Sequence, residues 1–284
     1  MNLAYPGDCE CLKRLAALLL LKRDELSRRR VMVFRAGNGF FDETGTDAKS
    51  PIVAVAGWLG SFESLIETEG KWKDALPAEA KGDFHYTDFW ARKTYGADWS
   101  DPDRLGFVRK LAGIACNGTS MGVGTAVVKD EYWRVIKEVN HALPADDDML
   151  RALREDPFYY CLAQCFALLL HWKLPADIKK PLAFVYGESP RPGYVLNAFE
   201  RVKRWFDRDD LFGGVWPYGK RKEEPILQAT DLLVGELRRN IEGHPSEVIP
   251  ILRAKDSLLF TAPREKALRE RAEKLLIDFG LRTN

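Results

Sequence analysis

The sequence predicts an α/β fold in which a mixed sheet opens with an antiparallel hairpin and carries helices on both faces. Two apolar segments, Phe34–Phe41 and Pro51–Leu59, are joined by a short turn-like stretch, which favours a hairpin. Further along the chain, helical and strand-like segments alternate, an order typical of a mixed sheet covered by helices. The 284 residues are 46% hydrophobic, which is enough apolar material for a sizeable core.

The hairpin is the first predicted feature of this domain. Its first strand contains Gly37 and Gly39, which indicate a bulge or a close approach of another segment to the backbone. The strand ends at Asp42, and the second strand is rich in β-branched residues. The connection between them is too short for a crossover, so the pairing is predicted to be antiparallel.

Helices are predicted from their start signals. Ser61 is a candidate N-cap for a helix over Phe62–Leu76, and Asp156 for an apolar helix that ends near His171. Pro225 opens a helix to about Ile241, with proline at the first helical position, where it is tolerated. The other predicted segments, in chain order, are extended 83–87, helix 102–116, strand 121–128, a helix from Glu131, strand 182–186, helix 194–206, partly extended 211–218 and helix 263–279.

Two regions are predicted. Residues 1–30 form an N-terminal helical extension, which is a docking helix, a partly disordered segment or a basic arm for nucleic acid, and residues 31–284 form one domain. The longest aliphatic run, Leu15–Leu21, is shorter than the roughly 20 apolar residues that cross a bilayer and lacks a signal-peptide cleavage site. The five cysteines show no disulfide framework. These features predict a cytoplasmic protein with free thiols and no membrane span.

The charge balance bears on possible partners. Forty-three basic and 42 acidic residues give a formal net charge of +1. Enzymes that act on nucleic acid often carry a larger positive surplus, because phosphate contacts supply much of their affinity. Net charge therefore offers no support for a nucleic-acid partner, although local basic patches remain compatible with one.

Three acidic residues occupy positions that suit a metal site. Asp42 ends the first strand, Glu188 follows a buried strand, where ligands of α/β sheets tend to bind, and Asp231 lies in the helix that Pro225 opens. Carboxylates without matching Cys or His ligands suit Mg²⁺ or Mn²⁺. Two such ions, about 3.5–4 Å apart, support phosphodiester hydrolysis. The alternative is chance placement, since the chain has 42 acidic residues.

The helix around Asp231 carries a further signal. Gln228, Asp231 and Gly235 share one helical face, and the neighbouring positions are leucines. A carboxylate in apolar surroundings costs free energy unless it has a partner or a metal ion. Glycine within a helix costs about 1 kcal/mol relative to alanine, so Gly235 indicates that another group needs the space.

Four segments in order resemble a known family. They are 41–46 (Phe-Asp-Glu-Thr-Gly-Thr), the strand with 56–58 (Ala-Gly-Trp), 84–88 (Phe-His-Tyr-Thr-Asp) and 227–233 (Leu-Gln-Ala-Thr-Asp-Leu-Leu). Together they resemble a large family of uncharacterised bacterial proteins, a domain of unknown function with Asp-Glu-Ser-Gly and Leu-Gln-Ala-Ala-Asp-Leu motifs. The resemblance covers residues 34–245 and implies a ribonuclease-H-like fold. This chain has Thr44 in place of the family's Ser and Thr230 in place of its Ala.

The resemblance implies that Asp42, Glu188 and Asp231 are metal ligands, with Glu43 and His85 as accessory residues. Glu188 is matched to the family only by its position after a strand, because no distinctive motif surrounds it. His85 is a candidate general base or phosphate contact, since imidazole titrates near neutral pH. A structural role for a histidine between two aromatic residues is the alternative.

A basic loop precedes the helix of Asp231. Lys220, Arg221 and Lys222 are candidates for binding a nucleic-acid backbone, and a solvated turn is the alternative.

The sequence is compatible with three functions. The first is a metal-dependent nuclease or related phosphodiesterase, acting on DNA or RNA. The second is a non-catalytic ribonuclease-H-like module that binds nucleic acid or a protein. The third is a metal-assisted hydrolase of a small phosphate ester, which a narrow closed pocket would favour over an open groove. The nuclease and the non-catalytic module differ in whether the three acids converge on one point. Acids that ligate a metal ion together must be close to one another, because metal–oxygen distances are only about 2.0–2.6 Å.

Overall fold

The structure is a computed structural model that describes residues 37–139, 154, 156–171, 181–188, 192–205, 211–244, 246, 248–254 and 258–278. The predicted N-terminal extension, residues 1–30, lies outside the described residues, as does the predicted start of the first strand. The division into an extension and one domain therefore stays a prediction.

Strands and helices alternate along the described chain after an opening pair of strands. The strands are β1 (Gly37–Thr44), β2 (Ile52–Gly60), β3 (Met121–Val128), β4 (Leu182–Gly187), β5 (Phe212–Gly219) and β6 (Leu258–Thr261). The helices are α1 (Phe62–Ala75), α2 (Tyr86–Trp90), α3 (Asp101–Gly118), α4 (Lys129–Val139), α5 (Pro157–His171), α6 (Pro192–Trp205), α7 (Pro225–Ile241), α8 (Val248–Arg253) and α9 (Glu265–Asp278).

The described strands form one six-stranded mixed sheet in the order β5-β4-β1-β2-β3-β6. The predicted hairpin is confirmed, because β1 pairs with β2 in antiparallel fashion and Asp42 lies opposite Ala56. β3 is antiparallel to β2, whereas β4 is parallel to β1 and β5 is parallel to β4. The carboxyl ends of β1, β4 and β5 therefore meet at one edge of the sheet.

The sheet has a hydrophobic core on each face. On β1 and β2, Phe40 and Ala54 contribute to one core and Phe41 and Val53 to the other, because successive side chains of a strand point to opposite faces. Buried residues of α1, α2, α3, α7 and α8 complete the first core. Those of α4, α5, α6 and α9 complete the second. The predicted fold class, a mixed α/β sheet with helices on both faces, is thus confirmed.

Several predicted helix starts are also confirmed. The Ser61 hydroxyl accepts a hydrogen bond from the Ser64 N–H at the start of α1, over 3.2 Å. Asp156 Oδ1 accepts one from the Phe158 N–H over 2.9 Å at the start of α5. Side-chain oxygens of this kind satisfy backbone donors that have no partner within the helix.

One local prediction was wrong, and at Gly39 the structure decides between two predicted alternatives. The segment Asp83–Thr87 was expected to be extended, but Tyr86 and Thr87 already belong to helix α2. The predicted bulge at Gly39 is absent from the β1–β2 register, which runs without interruption. The alternative of a close approach is correct, because a Cβ on Gly39 would lie 2.7 Å from Cδ1 of Phe184 in β4.

Three of the five cysteines lie in the described part of the chain. Cys116, Cys161 and Cys165 are buried free thiols. Burial raises the pKa of the Cys161 thiol well above its usual value and that of Cys165 to about 12, so both are protonated at neutral pH. Among the described helices, none has both the length and the apolar character that a membrane span requires.

Candidate metal and nucleic-acid site

A cavity of about 630 Å³ lies where β1, β4 and β5 end and α7 begins. Ligands of α/β sheets commonly bind outside the carboxyl ends of parallel strands. The structure brings all the residues predicted for metal binding, catalysis or nucleic-acid contact to the wall of this one cavity. They are Asp42, Glu43, His85, Glu188, Lys220, Arg221, Lys222 and Asp231.

Asp42 is half-buried near the end of β1. Its Oδ1 accepts a hydrogen bond of 2.9 Å from the N–H of Glu43. A Cβ on Gly187, at the end of the neighbouring strand β4, would lie 2.8 Å from the same oxygen. Glycine at position 187 therefore leaves room for the Asp42 carboxylate between the two strands.

Burial raises the pKa of the Asp42 carboxyl well above its ordinary value, and the negative charges of Asp231 and Glu43 raise it further. The Glu43 N–H and the Arg221 guanidinium act in the opposite direction but are outweighed. Asp42 and Asp231 are thus close enough to repel each other when both are ionised. A cation between them would remove that repulsion.

Asp231 lies on α7 and is only 7% exposed. Its Oδ2 accepts hydrogen bonds from the N–H of Tyr86 over 2.8 Å and from Nη1 of Arg221 over 3.3 Å. Burial raises the pKa of Asp231, and His85, the Tyr86 N–H and Arg221 oppose that rise. This confirms the expectation that a carboxylate in these apolar surroundings needs partners.

The raised pKa of Asp42 predicts how the stability of the metal-free protein depends on pH. Between the ordinary carboxyl pKa, about 4, and the raised one, the folded state binds more protons than the unfolded chain. The free energy of unfolding therefore falls as pH rises through this window and stays reduced at neutral pH. We expect Asp42→Asn to raise the free energy of unfolding at pH 7, because asparagine removes a buried charge that Asp231 and Glu43 repel.

The measurement is thermal unfolding from pH 4 to pH 8 in EDTA. The matched control is Asp98→Asn, an exposed aspartate that does not line the cavity. A lower melting temperature for Asp42→Asn than for wild type at pH 7 would contradict the repulsion described above.

Gln228 holds the start of helix α7 against the segments that line the cavity. Its side-chain oxygen accepts hydrogen bonds from Nε1 of Trp72 and the N–H of Phe84, each over 3.0 Å. Its side-chain nitrogen donates to the carbonyls of Gly82 and Arg221, each over 2.9 Å. This buried amide therefore joins the segment before α2 and the basic loop to the helix that carries Asp231.

Thr230, one of the two departures from the motifs that the sequence resembles, has a structural role. Its hydroxyl donates to the carbonyl of Phe40 in β1 over 3.2 Å and lies 3.1 Å from the carbonyl of Ile226. The neighbouring Ala229 carbonyl accepts a hydrogen bond of 3.1 Å from Nε1 of Trp58 in β2. These bonds fix α7 against the hairpin, and with it the position of Asp231 relative to Asp42.

Gly235 makes room for the ring of Tyr86, as the sequence predicted that some group would need the space. A Cβ at position 235 would lie 2.2 Å from Cδ1 of Tyr86. The Tyr86 hydroxyl donates to Glu236 Oε1 over 2.5 Å while its N–H donates to Asp231, so the tyrosine is held at both ends. Any side chain at position 235 must displace it.

We expect Gly235→Ala to lower the free energy of unfolding by about 1–3 kcal/mol, because an extra methyl group overpacks the site. The expected structural consequence is that the Tyr86 N–H moves away from Asp231. Gly113→Ala is the control, since Gly113 lies within helix α3 with no atom within 4 Å of an added Cβ. Alanine there should stabilise the protein by up to about 1 kcal/mol. Chemical denaturation measures both, and equal effects of the two variants would refute the role of Gly235.

His85 lies at the cavity wall with its ring oriented by a second acid. Its Nδ1 is 2.7 Å from Asp88 Oδ2, and its Nε2 is 3.9 Å from Asp231 Oδ2. The side chain is 34% exposed. The ring therefore presents Nε2 on the side of Asp231, which is the geometry that a proton carrier or a phosphate contact at this cavity requires.

Glu188 and Glu43 both line the cavity but differ in how far they are buried. Glu188 is exposed, and its N–H donates to the carbonyl of Gly219 over 2.7 Å, which fixes its backbone beside the end of β5. Glu43 is half-buried, and after burial its charge is the largest cause of the raised pKa of Tyr186. Among the described residues, no three His, Cys, Asp or Glu side chains meet closely enough to hold a metal ion. The acids surround one cavity, and joint metal ligation by them stays a prediction.

The basic loop pairs with acids around the cavity. Arg221 contacts Asp231, as described above, and Lys222 Nζ lies 3.7 Å from Asp83 Oδ2. Lys220 Nζ lies 3.1 Å from Glu223 Oε1. The loop therefore places three cations at the cavity, next to the carboxylates.

Comparison with known proteins adds little to this geometry. No family model and no curated protein matches the chain. A solved structure of a mutant protein of Bst-RNase HIII is 13% identical, covers 88% of this chain and 71% of its own, and has a TM-score of 0.34. Bst-RNase HIII in complex with Mn²⁺ is 11% identical, covers 85% of this chain and 70% of its own, and has a TM-score of 0.33. At these values the matches assign neither a family nor an activity, and the family suggested by the motifs stays an expectation.

Proposed function

We propose that the protein is a divalent-metal-dependent nuclease with a ribonuclease-H-like core that hydrolyses phosphodiesters of DNA or RNA. The observation that carries the proposal is the cavity at the ends of β1, β4 and β5, where seven carboxylates, among them the four candidate ligands, and three cationic side chains line the same space. Oxygen donors of this kind are the ligands that Mg²⁺ and Mn²⁺ prefer.

The residues present fit such an ion in their chemistry. The charges of Asp231 and Glu43 both raise the pKa of Asp42, which is the signature of a site with more negative charge than its surroundings balance. Asp42 and Asp231 are the proposed core ligands, with Glu188 and Glu43 completing the set. Glu188 is exposed at the edge of the cavity, so rotation of its side chain is enough to change its distance to the aspartates.

The other side chains have distinct proposed roles. A bound divalent ion would lower the pKa of a water molecule and stabilise the charge on the leaving oxygen. His85, oriented by Asp88, would hold or transfer a proton at Nε2. Lys220, Arg221 and Lys222 would contact the phosphate backbone, and Arg221 would exchange its contact with Asp231 for one with a phosphate oxygen.

The second candidate is a non-catalytic module that binds nucleic acid or a protein through the same cavity. It is favoured by the finding that no three acidic or other ligand side chains of the described residues meet at one point. The two candidates differ in whether the acids bind metal.

The proposal is tested by incubating the purified protein with end-labelled single-stranded and double-stranded DNA and RNA. Each substrate is compared in Mn²⁺, in Mg²⁺ and in EDTA. The expected result is cleavage in at least one divalent ion and none in EDTA. Absence of cleavage for every substrate, with retained binding, would favour the non-catalytic module.

A further inference from the structure

A second cavity, of about 410 Å³, lies beside the acidic one. Thr44, at the end of β1, lines both cavities. Tyr86 lies between them, because its N–H donates to Asp231 in the first cavity while its side chain belongs to the wall of the second. The two cavities are therefore neighbours, with Thr44 in the wall of each.

The second cavity has a different chemistry from the first. Arg238, Arg239 and His244 line it, with Glu242 as its carboxylate. Arg238 Nε lies 2.8 Å from Glu242 Oε1 at the end of α7, and the Arg239 side chain interacts with the Tyr86 hydroxyl. The wall thus has more cationic groups than carboxylates, the reverse of what a divalent cation needs.

Aromatic and hydroxyl groups complete the wall. The Arg239 guanidinium carbon lies 4.7 Å from the ring centroid of Trp90, which is the partly buried last residue of α2. The indole N–H of Trp90 is buried, so the face of the ring, and not its nitrogen, borders the cavity. Hydroxyl groups come from Thr44 and Thr87. Arginine and hydroxyl groups are both donors to phosphate oxygens.

We propose that this second cavity binds a backbone phosphate next to the one that is hydrolysed, and that the substrate is therefore a polynucleotide strand. The inference rests on the proposed function, because it assigns the scissile phosphate to the acidic cavity. A small phosphate ester occupies one cavity alone, whereas a strand supplies a second phosphate to the arginines. Contacts to phosphates of this kind position a strand without reading its sequence.

The Arg238–Glu242 pair allows a test with effects of opposite sign. Arg238→Gln removes a phosphate contact and is expected to weaken binding of a strand by about three- to tenfold, and to reduce the slope of log affinity against log salt by about 0.7. Glu242→Gln removes the competing carboxylate and is expected to strengthen binding. A merely structural role of this ion pair predicts instead that neither variant changes the affinity beyond its effect on folding.

Arg269 and Glu265 provide matched controls. They form another pair four residues apart, 3.0 Å from Nη2 to Oε1, on helix α9, which packs on the opposite face of the sheet. Arg269→Gln and Glu265→Gln are expected to leave the affinity unchanged. Thermal unfolding of all four variants shows whether each is folded.

The probe is a fluorescein-labelled 12-nucleotide single strand, as DNA and as RNA of the same sequence, measured by anisotropy in EDTA so that no hydrolysis occurs. Binding of either strand with opposite shifts for the two variants supports the proposal, and the difference between the DNA and RNA arms identifies the sugar. Unchanged affinity, shifts of the same sign or absence of binding would overturn it. An unlabelled strand, inorganic phosphate and a mononucleotide are each used to displace the labelled strand. If phosphate or the mononucleotide displaced it at the same concentration as the unlabelled strand, the proposal that the substrate spans both cavities would be wrong.

Hydrolysis is measured separately in Mn²⁺, which keeps the two proposals distinguishable. If the two variants shift the affinity in opposite directions but no strand is hydrolysed, the proposed nuclease activity is wrong and the proposed phosphate site in the second cavity is retained. Hydrolysis that is unaffected in Arg238→Gln at subsaturating strand counts against the cavity and leaves the nuclease standing.

Discussion

Replacing Asp231 with asparagine is expected to reduce phosphodiester hydrolysis by more than a hundredfold while leaving the fold intact. Loss of a residue that only hydrogen-bonds to a metal ligand already reduces metal affinity or activity about 10- to 100-fold, so loss of a ligand is expected to cost more. Asparagine retains an oxygen that accepts the hydrogen bond from the Tyr86 N–H, so the contact between α7 and the segment of His85 survives. What is lost is the negative charge that faces Arg221 and the proposed ion.

The measurement compares turnover of the labelled strands in Mn²⁺ for wild type and Asp231→Asn. Asp98→Asn serves as the control, because Asp98 is exposed and lies outside the cavity. The far-ultraviolet spectrum and melting temperature in EDTA establish that both variants are folded. If Asp231→Asn turned over substrate at the wild-type rate, its proposed role as a ligand would be wrong.

Mn²⁺ is expected to stabilise the wild-type protein against thermal unfolding. A ligand that binds only the folded state contributes about 2.7 kcal/mol at a hundredfold excess over its dissociation constant. For a chain of this size that corresponds to a rise in melting temperature of about 5–10 °C. Asp42→Asn and Asp231→Asn should each lose most of this gain, because each removes one of the two carboxylates whose charges repel.

The same series is run with the 12-nucleotide strand present, since a phosphate oxygen can complete a set of metal ligands. Stabilisation of wild type alone, in either condition, places both aspartates in one metal site. Equal stabilisation of all three proteins would locate the ion elsewhere. No shift for any protein in either condition would contradict the metal site and favour the non-catalytic module.

Prediction from sequence was most successful where local signals were strong. β3 has the predicted bounds, Met121–Val128, and α7 runs from Pro225 to Ile241 as expected. Both have unambiguous patterns, a β-branched apolar run and a proline at the first helical position. The need for space at Gly235 was also predicted from the sequence, because glycine within a helix lowers the stability of the helix unless a packing contact requires it.

Prediction failed where long-range packing decides the structure. Strand β6 and helix α8 were not predicted, and both are short segments whose place depends on β3 and on the core of the first face. The start of α2 was missed because Phe84 and Tyr86 read as extended residues. Their conformation is instead held by Gln228 and Asp231, 144 and 145 residues away in the chain.

The sequence by itself determined the composition of the candidate site: Asp42 at a strand end, Glu188 after a buried strand and Asp231 in an apolar helix. These positions follow from local patterns of hydrophobicity, which act over a few residues. Only the tertiary structure decided that β4 pairs in parallel with β1, so that Gly187 lies against Asp42 and the acids face one cavity. It also decided that the second cavity, lined by Arg238, lies beside them. Strand order and the distances between charges arise from packing across the whole chain, which no local pattern encodes.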